Sequence, residues 1–207
     1  MKMQKIVATR RLLIVGVVIV VFVAGWFALA RDCPSAGIGI ASRQRNAHRL
    51  KNRTAFPQPA DFDARVTLDA VLEPGDDRNR WSTDRAARIQ GQVIDVAYAG
   101  MEAANCFSPG GRDIHILIAK RNGAQQHEQM VLEVTPKWRE WAATQGMDWS
   151  EETLHAQLIS HWVEFEGWLY FDLGHDEESE NIAPGNAKNW RATAWEIHPI
   201  TRITVIR

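Results

Sequence analysis

Two acid–imidazole pairs carry the clearest chemistry in this chain. Asp113 and His115 are two residues apart in one β-rich stretch, and Glu196 and His198 repeat the spacing in another. Alternate residues of a strand share a face, so each pair presents an acid and an imidazole side by side. Brought together from two strands, they would supply the mixed nitrogen and oxygen donors of a divalent metal site. The same four residues would then be the catalytic groups of a metal-dependent hydrolase, nuclease-like and acting on phosphodiesters. The plainer reading is hydrogen-bonded structural polar groups. Spacing alone does not make the two strands neighbours, so a divalent metal is an open cofactor and not the favoured one.

Two further sets of residues invite a functional reading. His175, Asp176, Glu177, Glu178 and Glu180 crowd one loop, and His175 and Asp176 are metal-ligand types. The spacing of a calcium-binding loop is absent, which favours a solvated acidic loop. The chain also holds nine tryptophans. Trp168, Tyr170, Trp190, Arg191 and Trp195 are the types that build a stacking platform for a base or a sugar, although strand aromatics more often pack on the sheet. No nucleophile elbow, phosphate-binding loop or dinucleotide fingerprint occurs, which argues against nucleophilic catalysis and nucleotide hydrolysis.

The elements that would position these residues are mostly strands. Residues 87–100 read as a first strand with Gly91 inside it, where a bulge or sharp coil is expected. Residues 113–119 alternate, with Ile114, Ile116 and Ile118 opposite Asp113, His115 and Leu117. In a third strand, Met130, Leu132 and Val134 share one face while Val131 and Glu133 take the other. The period then switches. Thr135-Pro136 begins a helix that Gly146 closes, and Ser150 begins a second with two acids in its first turn. A fourth strand, 161–171, has Val163, Phe165, Leu169 and Phe171 inward and Gly167 at its centre. The fifth, 192–206, is interrupted by Pro199, which predicts an edge or a bulge.

The order is three strands, a helical insert and two strands, with a glycine inside strands one and four. It resembles the OB-fold, a five-stranded Greek-key barrel, over residues 85–207, and the fold expected is mainly β. A different small antiparallel barrel or an α+β sandwich is the alternative. The domain also resembles a group of uncharacterised exported bacterial proteins that end in a WRATxWEIHPxT stretch, here Trp190 to Thr201. That group implies no activity. Staphylococcal nucleases are OB-like enzymes, but their acidic and arginine pattern has no counterpart here. The OB resemblance implies a ligand site on strands two and three, flanked by loops 100–112 and 172–191.

Targeting comes from the N-terminus. Residues 12–30 form an uncharged apolar run preceded by Lys2, Lys5, Arg10 and Arg11. At 1.5 Å per residue it spans about 28 Å, near the thickness of a bilayer core, which predicts a transmembrane signal anchor. Ala28-Leu29-Ala30 also offers a cleavage site, so residues 1–30 are an anchor or a signal peptide. The expected location is the bacterial inner membrane with the domain in the periplasm, or secretion after cleavage following Ala30. Residues 31–84 read as a basic linker, first a tether or a short surface helix and then a short helix near Thr67, with the basic stretch 42–54 solvated. Beyond Ala30 lie 25 acidic and 20 basic residues, a net of −5, a poor footprint for nucleic acid. An oxidising compartment would allow Cys33 and Cys106 to pair. The sequence thus points to a membrane-anchored or secreted envelope protein, a binding or interaction module for another envelope protein or a small ligand.

Overall fold

The computed structural model describes residues 33–206. The apolar run 12–30 lies outside them, and among the described residues no helix is long and apolar enough to cross a membrane. Five strands, β1 (Ala86–Tyr98), β2 (Ile114–Ala119), β3 (Met130–Val134), β4 (Trp162–Phe171) and β5 (Trp195–Val205), close into a barrel in the order β1-β2-β3-β5-β4. All contacts are antiparallel except β3 with β5, which meet in parallel at Leu132 and Ile197. The order and the parallel closure are consistent with an OB-like barrel.

The predicted alternation is what builds the interior. Ile89, Val93 and Val96 of β1, Ile114, Ile116 and Ile118 of β2, and Met130, Leu132 and Val134 of β3 are buried in one core with Val163, Phe165 and Leu169 of β4 and Ile197 and Ile200 of β5. Glycine has a steric role in β4. A Cβ on Gly167 would stand 2.3 Å from the Pro199 carbonyl oxygen and 2.4 Å from Ile197 Cγ2. Only a residue without a side chain lets β4 and β5 approach there, where their register shifts on both sides of Gly167. The interruption at Pro199 is therefore part of a bulged, paired strand and not a sheet edge.

Among the described residues, four α-helices lie around the barrel: α1 (Ser42–Lys51), α2 (Leu68–Val71), α3 (Pro136–Thr144) and α4 (Glu151–Leu158). The last two form the helical insert between β3 and β4, and each begins as the sequence predicts. Pro136 occupies the first turn of α3, and the Ser150 hydroxyl accepts the Thr153 amide at the start of α4. Trp138, Ala142, Leu154 and Leu158 point from them into the core.

Of the two forms open to the basic linker, a tether or a short surface helix, the structure has the helix. Residues 35–56 lie against the barrel, with Arg43 and Arg49 exposed. His48 Nδ1 is 2.8 Å from the Ala36 carbonyl oxygen, and Asn52 Nδ2 donates to the Ala104 carbonyl at 2.9 Å. The Arg53 guanidinium donates to the carbonyls of Thr83 and Leu169, while Trp138 Nε1 donates to the Arg53 carbonyl. A helix of poor apolar content is held by polar side chains reaching backbone groups, which hydropathy does not register. Both Cys33 and Cys106 are disulfide-bonded.

Candidate functional site

The same alternation that fills the barrel sends a second set of side chains to its outer face. His115 faces out from β2, Glu133 from β3, Glu196 and His198 from β5 and Tyr170 from β4, and Asp113 immediately precedes β2. His115 and Glu133 are direct cross-strand partners, with His115 Nε2 3.1 Å from Glu133 Oε1. On a small barrel such a face would normally meet water. Here α1, the loop between β1 and β2 and the loop between β4 and β5 cover it, so Asp113, Glu133, Glu196 and His198 are all at most 2% exposed.

His198 is the hub. Its Nδ1 is 3.3 Å from Glu196 Oε2 and 3.4 Å from Glu133 Oε2, and its Nε2 is 3.7 Å from Asp113 Oδ2. These distances exceed those of charge-assisted hydrogen bonds, about 2.7–2.9 Å. Burial disfavours the imidazolium, but the Glu133 carboxylate outweighs it and holds the His198 pKa up at about 10. Asp113 moves the opposite way for an acid, to about 7, first because it is buried and then because Glu133 is beside it. Glu133 itself is held well below the usual carboxylate range: burial pushes it up, and the charges of His198, His115 and Lys51 prevail.

The cover contributes charge as well as bulk. Lys51, in the last turn of α1, donates to Glu102 Oε2 at 2.6 Å and lies 5.6 Å from the centre of the Tyr170 ring. From the β4–β5 loop, Arg191 is wholly buried and bridges two acids, with Nη1 2.5 Å from Glu196 Oε1 and Nη2 2.8 Å from Asp172 Oδ2. Asp172 also accepts from His175 Nδ1 at 2.8 Å. Burial pushes the Asp172 pKa up, yet the His175 hydrogen bond and the Arg191 charge hold it well below the ordinary value. The loop is pinned from behind by Asp77, whose Oδ2 accepts from Asn181 Nδ2 at 2.8 Å and Thr193 Oγ1 at 2.6 Å.

The structure sorts the residues that the sequence singled out. Asp113, Glu196 and His198 meet at one point, and His115 joins them through Glu133. Trp190 stacks over His115, with ring centroids 6.0 Å apart and planes 11° apart, and the Arg191 guanidinium lies over the Trp190 ring, 4.6 Å from its centre. Tyr170 packs edge-on against His198. The aromatic platform does not form. Trp195 points into the core and donates to the Asp77 carbonyl, and Trp168 lies away from the centre, donating to the Ala55 carbonyl with the Arg53 guanidinium over its ring. His175 and Asp176 do not ligate together either: His175 pairs with Asp172, and Asp176 is 3.6 Å from Arg78.

Sequence reasoning missed Glu133, Lys51 and Asp172. The outward face of Glu133 was visible from its parity. Its position opposite His115 depends on the irregular connection between β2 and β3, which fixes the register. Lys51 is brought in from 51 residues before Glu102 by the docking of α1. Comparison with protein-family models and with curated proteins finds no match for this chain.

Proposed function

We propose that this protein is a binding module of the bacterial cell envelope, an OB-like barrel anchored by residues 12–30 or released after Ala30, whose ligand is a small cation taken up beneath α1. The observation that carries the reading is the convergence of Asp113, Glu133 and Glu196 on one covered point of the outer barrel face. The strand order and the parallel closure of β3 on β5 support the OB-like assignment, and the centre adjoins the face and the two loops where that fold takes ligands. A buried acidic centre attracts cations and repels phosphate backbones, in keeping with an acidic ectodomain.

The second reading is metal-dependent hydrolysis of a phosphodiester by Asp113, His115, Glu196 and His198. The 3.7 Å approach of Asp113 to His198 favours it. It requires substrate and water to reach groups that are now covered, so binding is the better-supported reading.

Thermal denaturation of the full-length chain against a panel of divalent metal ions, spermidine and neutral sugars tests the proposal. The midpoint should rise with a cation and stay unchanged with the sugars, and Glu133→Gln should abolish the rise. A panel in which no cation shifts the midpoint would reject it.

A further inference from the structure

The geometry points to a first-row divalent metal ion, of the manganese(II), iron(II) or zinc(II) class, as the ligand of Asp113, Glu133 and His198. This rests on the binding reading above and names its ligand. One ligand atom from each of the three residues lies within 4.8 Å of the other two. Ligands about 2.0–2.4 Å from a common ion are at most about 4–4.8 Å apart, so the three side chains already occupy the span of one coordination sphere.

The second observation is what these atoms lack. Both carboxylate oxygens of Asp113, Oε2 of Glu133 and Nε2 of His198 are buried without a hydrogen-bond partner. Leaving buried polar atoms unsatisfied costs about 1–3 kcal/mol each, more when they are charged, so native structures rarely cluster them. The neighbouring cations act on Asp113 through their charge, but none hydrogen-bonds to it, and His198 Nε2 stays 3.7 Å from its Oδ2. Lys51 Nζ donates to Glu102, and Arg191 Nη1 and Nη2 donate to Glu196 and Asp172. A coordinating ion would satisfy Asp113, Glu133 and His198 at once, taking the place of the His198 proton, which leaves to solvent.

The donor set narrows the ion. Two carboxylates and one imidazole suit borderline divalent ions, where all-oxygen sets suit calcium or magnesium and thiolates suit copper(I). The outer layer has the form expected around a metal. His115 holds Glu133 by its other oxygen, and Arg191 holds Glu196, which flanks His198. Such supporting contacts orient ligands and tune their basicity. The degree of closure favours a bare ion over a larger cation, because an ion needs only local opening of the α1 cover and an organic cation needs room that the packed centre does not offer.

The test uses the full-length chain, stripped with chelator and reloaded separately with manganese(II), iron(II) under anaerobic conditions, and zinc(II), followed by elemental analysis after desalting. Near-stoichiometric retention of at least one is expected. Asp113→Asn keeps size and shape and breaks no hydrogen bond, so it should fold as the parent does by circular dichroism. It should bind the ion more weakly by over 100-fold, beyond the about 10–100-fold that changes outside the ligand shell cause. Cobalt(II) titrated into the unaltered protein gives a second readout independent of any variant, a visible absorption band that develops on coordination. Failure to retain any of the ions, with no cobalt band, overturns the metal assignment, as does a folded Asp113→Asn protein that retains the ion. If spermidine alone stabilises the chain, the binding reading survives and the metal assignment falls. If no cation of any kind acts, both fall.

Discussion

Arg191 shows how a single side chain makes the covered face tenable. Its guanidinium is fully buried between Asp172 and Glu196, and burial, which disfavours its charge, is outweighed by those two acids. Removing one member of a buried ion network strands the others, at a typical cost of about 3–5 kcal/mol. Arg191→Met should therefore lower the urea midpoint by an amount equivalent to about 3–5 kcal/mol, and pairing it with Asp172→Asn should recover part of the loss. Asp172 also reaches outward. Its hydrogen bond raises the pKa of the half-exposed His175 above the ordinary value near 6.5. A raised folded-state pKa means that the pair's contribution is complete below pH of about 6.5 and fades as the pH rises through the folded value. NMR titration of the His175 ring should show that raised value in the parent and a return toward about 6.5 in Asp172→Asn. An unchanged His175 titration in that variant would show that the contact is not what raises it.

At the scale of elements, β4 and β5 are fitted to each other around one missing side chain. In Gly167→Ala the new Cβ meets the Pro199 carbonyl and the Ile197 side chain, and backbone must shift to admit it. Overpacking of this kind costs about 1–3 kcal/mol, measurable as a lower melting temperature. The centre responds too, because Ile197 and Pro199 flank His198. Gly91→Ala, whose Cβ meets the Ile118 side chain at 3.0 Å, should cost less, since a side chain gives way more readily than a carbonyl. These two glycines also mark what the sequence discloses. The parity of β2, β3 and β4 could be read from Ile114, Ile116 and Ile118, from Met130, Leu132 and Val134, and from Val163, Phe165 and Leu169, because burial on one face writes a period of two. Barrel closure writes no period of its own and was legible only through element order and the glycines of strands one and four. It depends on β3 meeting β5 across the helical insert, and so did the meeting of Asp113 with His198. The docking of α1 was invisible for a different reason: its contacts are hydrogen bonds from His48, Asn52 and Arg53 to carbonyl oxygens, and such partners have no pattern along the chain.

For the molecule as a whole, closure couples the core to the centre. Every strand contributes to one apolar interior, and the outer-face residues alternate with that interior along the same strands. The cover is tied in by backbone-directed bonds from Asn52 and Arg53 and by the Asp77 contacts to Asn181 and Thr193. A barrel with no free edge cannot lose one strand and keep the others paired, so residues 35–206 should unfold as one cooperative unit. Far-UV circular dichroism follows the strands, while tryptophan fluorescence follows Trp138 and Trp195 in the core and Trp190 above His115. In urea the two signals should trace a single coincident transition. The alternative has a distinct signature. If α1 and the loops form a separately unfolding layer, Trp190 reports an early fluorescence phase at urea concentrations where the circular dichroism is still native, and Lys51→Met, which leaves Glu102 and the acids beneath it without their ammonium, brings that phase to lower urea while leaving the barrel transition in place. Under the single-unit expectation Lys51→Met instead moves both signals together, because an acidic centre exposed to water on one side is exposed on strands that also hold the core.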